Sequence, residues 1–227
     1  MSVLEMKILF ISLGCDKNLV DSEKMLALLN HAGYTLTDDE LITQGLGPRE
    51  GSTCGEGTYG VLPPTTVYTE DTVTRTIDGV TLQMTAAVGE TDDQIFVWLP
   101  DVKALCCGDN FYACFPNLYA IRGSQYRDIS AWVDSLDVIR SYPIETLLPG
   151  HGKAIQGAEI VQETLKNYRD AIESVLLQTL EGMNKGMTME QLAELVKLPE
   201  TLANLPYLGE HYGCVEWTVK SIFNAYA

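Results

Sequence analysis

Thr72-Val-Thr-Arg-Thr-Ile77, Asp78-Gly79, Val80-Thr-Leu-Gln-Met84 is the stretch on which the reading of the fold turns. Two runs rich in β-branched residues flank Asp-Gly, a pair that adopts the positive φ a two-residue turn requires, so the spacing predicts an antiparallel hairpin. Downstream, Gln94–Leu99 and Val102–Cys106 read as two further strands joined at Pro100-Asp101, and Ile144–Leu148 as another, preceded by a helix over about Ser124–Arg140. The middle of the chain is therefore α/β with a substantial sheet.

After Leu147-Leu-Pro-Gly-His-Gly152 the pattern becomes helical. Ile160, Leu165, Tyr168, Ile172, Val175, Leu176 and Leu180 recur at helical spacing over Glu159–Met183. Thr188-x-x-Gln191 is a capping box opening Leu192–Val196, and Gly213–Tyr226 reads as a last helix. Upstream, Lys7–Leu13 and Asp21–His31 form one β-α unit closing at Gly33. Seven glycines and prolines between Gly45 and Gly60 mark a joint between unlike pieces. The expected organisation is a β-α unit at residues 1–42, a sheet domain at 43–157 and a helical subdomain at 158–227.

Composition narrows the function classes. The 227 residues are 46% hydrophobic, enough for a sizeable core, and 15 Lys and Arg stand against 31 Asp and Glu for a net charge of -16. Such a charge repels a phosphate backbone, so no nucleic-acid partner is expected. The apolar run Lys7–Leu13 is far short of the roughly 20 residues of a membrane span and lacks the flanks of a signal peptide. No membrane partner is expected, and the cytoplasm is the expected location. Six dispersed cysteines lack the density of a disulfide scaffold and read as thiols.

Histidine is scarce: His31, His151 and His211 are the whole supply. His31 and His211 read as helix-surface residues. His151 follows a strand between two glycines, where the end of a strand aims a ring into a crevice at the sheet edge. That position suits a structural loop histidine more often than a metal ligand, and from spacing alone both stay open. Glu90, before one strand, and Asp109, after the next, fall at comparable height if the strands are antiparallel. Two carboxylates with one imidazole could form half of a zinc or iron site, although acidic residues at strand ends are more often solvated turn residues.

The segment Cys107-Gly-Asp-Asn-Phe-Tyr-Ala-Cys-Phe-Pro-Asn-Leu-Tyr-Ala-Ile-Arg-Gly123, followed by Arg127-Asp128, Trp132, Leu147-Leu-Pro-Gly-His151 and Tyr168-Arg-Asp-Ala-Ile172, resembles the alkyl sulfatases of the metallo-β-lactamase superfamily over residues 43–227. Glu181-Gly-Met-Asn184, Leu198-Pro199 and Tyr212-Gly-Cys-Val-Glu-Trp217 resemble the start of their helical dimerisation part. The resemblance implies a partial metallo-β-lactamase-like sheet with helices, followed by a truncated helical C-terminal subdomain. It implies a metal-dependent hydrolase of sulfate esters using two zinc ions, an alkyl sulfate ester as substrate, and a homo-oligomer or a complementing chain as partner. Glu90, Asp109 and His151 fall on metal ligands. Asn117 and Arg122 fall in the stretch facing the sulfate, where a planar guanidinium holds an oxygen pair, although Arg122 also suits a surface salt bridge.

The departures from that family are specific. Its His-x-His-x-Asp-His motif occurs nowhere in the 227 residues, Asp109 stands where many members have glutamate, and Ala113 and Pro116 stand where many have histidine. The site is therefore expected to be incomplete and the chain inactive alone. Residues 6–40, with Lys7-Ile-Leu-Phe-Ile-Ser-Leu-Gly-Cys-Asp-Lys-Asn-Leu-Val-Asp-Ser-Glu-Lys-Met-Leu26 at their centre, resemble instead the N-terminus of the radical methylthiotransferases, in which Cys15 would open a set of three iron–sulfur ligands. The later cysteines and the Cys-x-x-x-Cys-x-x-Cys motif do not follow, so Cys15 reads as an ordinary thiol and no iron–sulfur cluster is expected. The resemblances leave three functions open: an incomplete sulfatase-like hydrolase, a methylthiotransferase fragment, and a non-catalytic association module.

Overall fold

The computed structural model describes residues 64–119 and 126–227. Within them, Glu70–Ala227 forms one unit built on a single six-stranded mixed sheet. Strand β1 (Thr72–Ile77) and β2 (Val80–Ala86) are the expected hairpin, with Asp78 at φ 50° and Gly79 at φ 81°, the two positive values of a type I′ turn. Strand β3 (Ile95–Leu99) continues the antiparallel order. A 3₁₀ turn at Pro100–Val102, ended by Lys103 at φ 48°, returns the chain as β4 (Ala104–Gly108). Helix α1 (Ile129–Arg140) then carries the chain over to β5 (Thr146–Pro149), parallel to β4, and the short β6 (Ile155–Gln156) closes the far edge. The order is β1-β2-β3-β4-β5-β6, and it reads as α/β.

Alternation decides which sheet face is covered. Phe96 and Trp98 of β3, Leu105 and Cys107 of β4 and Leu147 of β5 are buried against the helices, while Ile95, Val97, Leu99, Cys106 and Leu148 are half-buried. The covering helices are α1 and α2 (Ala158–Asn184), packed on each other through one continuous core that includes Trp132, Leu136, Leu165, Tyr168 and Ile172. Helix α3 (Met189–Leu195), the single turn α4 (Glu200–Ala203) and α5 (Val215–Tyr226) extend the same core through Leu192, Leu202, Val219 and Ile222. The α3 capping box is formed on both sides, Thr188 with the Gln191 backbone and Gln191 with the Thr188 backbone.

Three local expectations are corrected. Helix α1 starts at Ile129 rather than near Ser124, because the Asp128 carboxylate accepts from the Ala131 amide and caps it there. The last helix starts at Val215, since Gly209–Cys214 is drawn out as a strap bonded to Phe115. His211, on that strap, is an exposed loop residue and not a helical one. The β-α unit over residues 1–42, the boundary at 42, Cys15 and Arg122 lie outside the described residues. No helix among the described residues is long and apolar enough to cross a membrane.

Candidate functional site

The carboxyl end of β4 and the turn leading into β3 are tied together by two buried amides. Gln94 Nε2 donates to Asn110 Oδ1 (2.5 Å) and to the Cys107 carbonyl (3.3 Å), while Gln94 Oε1 accepts from the Glu90 amide (3.2 Å). Asn110 Nδ2 in turn donates to the carbonyls of Ala87 (3.3 Å) and Val88 (3.1 Å), and the Asn110 carbonyl accepts from the indole of Trp132 (3.1 Å). Every hydrogen-bonding atom of the two side-chain amides is engaged, which a buried amide needs to avoid a desolvation cost of about 1–3 kcal/mol. The network fixes Glu90 on one loop and Asp109 on the next. A Cβ at Gly89 would meet Asn110 Nδ2 at 2.9 Å, so glycine is what lets the Glu90 loop lie on that amide.

The parallel neighbour β5 brings His151 to the same end. The Gly150 amide donates to the Gly108 carbonyl (2.7 Å), placing the Pro149-Gly150-His151 turn directly over Asp109. His151 Nε2 lies 3.5 Å from Asp109 Oδ2. A Cβ at Gly150 would overlap Asp109 Oδ1, so the turn can pass there only without a side chain. Asp109 Oδ1 and His151 Nε2 are both buried without a hydrogen-bond partner. Burial pushes the Asp109 carboxyl above its ordinary range, with His151 opposing.

Glu90 is held differently. Its Oε1 pairs with Arg127 Nη1 at 2.8 Å, both side chains being mostly buried, and takes a second contact from Tyr212 Oη at 3.4 Å. Burial raises the Glu90 carboxyl, Arg127 lowers it, and the neighbouring charge of Asp109 raises it again, so the two carboxylates share one field. Arg127 also donates to the Asn117 carbonyl, and the Asn117 amide donates to Tyr112 Oη (2.8 Å). The Tyr112 ring meets His151 at 6.4 Å and Tyr212 at 5.8 Å between centroids. Glu90, Asp109, His151 and Asn117 are thus joined through Arg127 and Tyr112 at one end of the sheet.

These atoms suit a divalent cation in part. Two buried donors that make no hydrogen bond, one carboxylate oxygen and one imidazole nitrogen on residues 3.5 Å apart, fit two positions of a zinc shell. Among the described residues no three His, Cys, Asp and Glu side chains gather into a complete set. Asp109 and His151 would hold the ion, Glu90 standing beside them on Arg127. Sequence reasoning missed Arg127, Tyr112 and Tyr212 as parts of this end of the molecule. Tyr112 lies in Cys107–Gly123, Arg127 in Arg127-Asp128 and Tyr212 in Tyr212–Trp217, all of which carry the resemblance, but nothing in spacing connects residue 212 to residue 90.

Residues 188–227 match the family described as alkyl sulfatase dimerisation. The chain is 36% identical over 198 residues, 86% of its length, to a linear primary-alkylsulfatase of Pseudomonas sp. (strain ATCC 19151), of which it covers 37%. Among solved structures, the stereoselective inverting sec-alkylsulfatase Pisa1 from Pseudomonas sp. superposes with a TM-score of 0.69 at 28% identity, over 72% of this chain and 27% of that one. A metallo-β-lactamase family protein from Thermus thermophilus superposes over 90% of this chain and 60% of its own with a TM-score of 0.51 at 14% identity, a likeness of fold. The chain spans about a third of the length of the curated alkylsulfatases it matches. Separately, 35 residues, 15% of the chain and 8% of the other protein, are 71% identical to the ribosomal protein uS12 methylthiotransferase RimO of Lachnoclostridium phytofermentans. The fold is metallo-β-lactamase-like, and the relatives of the sheet and helices are alkylsulfatases.

Proposed function

We propose that this chain carries the later half of a metal-dependent hydrolase site for alkyl sulfate esters. The observation that carries this reading is the juxtaposition of Asp109, whose Oδ1 is buried without a hydrogen-bond partner, and His151, whose Nε2 lies 3.5 Å from Asp109 Oδ2, on a chain whose relatives include alkylsulfatases. When bound there, zinc would supply Lewis acidity toward the charge that develops as the ester bond breaks. Asp109 and His151 hold the ion, Glu90 contributes the second negative charge, and Asn117 with Arg122 receives the sulfate oxygens. Tyr112, through its bond from the Asn117 amide, fixes the backbone at Asn117.

The reading includes incompleteness. A zinc site that fixes geometry needs about three protein ligands, and His-x-His-x-Asp-His is absent from the sequence. Hydrolysis by these 227 residues is therefore expected only when that motif is supplied to them. The test is sulfate release from dodecyl sulfate with Zn²⁺, for the chain alone and mixed with a chain bearing the motif. No release alone, and release on mixing that His151→Ala abolishes, is the expected result. Zinc-dependent turnover by the chain alone overturns the incompleteness, and a mixture without turnover overturns the hydrolase reading.

A second reading is favoured by the match of residues 188–227 to a dimerisation family: the chain associates with its own copies without catalysis. Dimerisation without zinc uptake separates it from the first. The methylthiotransferase-like opening rests on 35 residues and adds a fused segment to either reading.

A further inference from the structure

We propose that the cleft between α5, the start of α3 and the chain at Tyr119 is a binding site for a small organic anion, an apolar body carrying one sulfonate- or carboxylate-type group, with Trp217 taking the body and Lys220 the charge. None of the described residues that line it belongs to the group joined at the sheet end, and no metal takes part, so the site stands or falls separately from the hydrolase reading.

The cleft follows from the way α5 divides its faces. Val215, Thr218, Val219 and Ile222 are its buried stripe. Trp217, Lys220, Ser221 and Asn224 recur at spacings of three and four on the adjoining face and, with Met189 and Tyr119, line a cavity of about 460 Å³. Sites for small molecules run from about 300 to 1,000 Å³. The Tyr119 ring leans on the Trp217 indole at 6.3 Å between centroids, and Met189 adds a polarizable thioether to the lining. Trp217 is 52% exposed, whereas Trp98 and Trp132, the other two tryptophans, are buried in the core. The fold therefore gains little from this indole, and its open area beside a cavity suits an apolar ligand body.

Charge decides the class of ligand. Among the described residues that line the cleft Lys220 is the one ionised side chain and no carboxylate is present, although the whole chain carries a net charge of -16. Lys220 is held by neighbours one helical turn away: its Nζ pairs with Glu216 Oε1 and stands 4.9 Å from the centre of the Trp217 ring. An ammonium has three donors and the carboxylate contact takes one, which leaves two for an anion. Because ammonium and indole are held side by side, the ligand that meets both has its anionic group directly joined to its apolar body. Ser221 and Asn224 add neutral donors to the same lining for the remaining oxygens.

The test titrates the full chain with 1-octanesulfonate, octanoate and the neutral 1-octanol at about 10 mM salt, where charges are least screened. Tryptophan fluorescence reports on Trp217, and calorimetry is the second readout, with thermal unfolding of each variant as a control. The wild type is expected to bind at least one of the two anions saturably, at one site per chain and more tightly than 1-octanol; the tighter anion names the head group. Lys220→Gln is expected to weaken anion binding by about tenfold and to leave 1-octanol unchanged, while Lys220→Arg retains the anion affinity. Trp217→Ala, read by calorimetry, is expected to weaken all three ligands by about tenfold. No saturable binding by the wild type, equal anion affinity of wild type and Lys220→Gln, or a loss of 1-octanol in step with the anions in Lys220→Gln overturns the proposal. Self-association seen by light scattering that excludes the anions also overturns it, since a second copy then fills the cleft.

Discussion

Gly150 carries a demand that its backbone angles do not make. The demand comes from Asp109, whose Oδ1 occupies the place a Cβ would take, with the Gly108 carbonyl carbon only 3.0 Å from that point. Gly150→Ala is expected to displace the Asp109 carboxylate and to lower stability by about 1–3 kcal/mol, the usual range for forcing a methyl into filled space. Denaturant unfolding checks the stability, and loss of Zn²⁺ affinity in the same variant checks the displacement. Asn110 is the matching test on the other side. It is fully buried, and its amide bonds Gln94 and the carbonyls of Ala87 and Val88. Asn110→Ala strands those partners and is expected to cost about 2–4 kcal/mol, more than a surface amide would. A midpoint within experimental error of wild type would show that water replaces the side chain.

At the level of elements, the site is assembled by α1 as much as by the strands. That helix makes the crossover from β4 to its parallel neighbour β5, and only this crossover brings His151 beside Asp109. Trp132, fully buried in the first turn of α1, both fills the core and bonds the Asn110 carbonyl (3.1 Å). Trp132→Ala is expected to cost about 3–5 kcal/mol; Trp132→Phe, which keeps most of the volume and loses the donor, is expected to cost about 1–3 kcal/mol. Thermal unfolding of the pair separates the packing and hydrogen-bond contributions. Equal losses for both would mean that the indole N–H is what matters. The last strand, β6, and the turn α4 have no periodic signature, because two residues of strand and four of helix are too short to repeat one.

The whole molecule carries a net charge of -16, and any association must work against it. Leu195, Trp217 and Tyr226 of the helical segment are exposed, and residues 188–227 match a dimerisation family. Dimerisation is therefore expected to strengthen as salt rises from about 10 mM to about 150 mM, where the screening length falls from roughly 30 Å to roughly 8 Å. Light scattering at the two salt concentrations checks this, and association that weakens with salt would point to ion pairs rather than apolar contact across the interface. What the sequence determined by itself is local and periodic. The hairpin about Asp78-Gly79, the strands on either side of Pro100-Asp101, the long helix and the capping box at Thr188 all follow from turn chemistry and from repeats of two or 3.6 residues. Glu90 and Asp109 could be picked out as strand-end carboxylates for the same reason. Only the tertiary structure decided that Asp109 meets His151 across a parallel crossover, that Arg127 and Tyr212 divide Glu90 Oε1 between them, and that the chain before α5 is a strap and not a helix. Those relations join residues 37 to 122 positions apart. They are fixed by glycines where two backbones touch and by buried amides that must find partners, and neither leaves a period in the sequence.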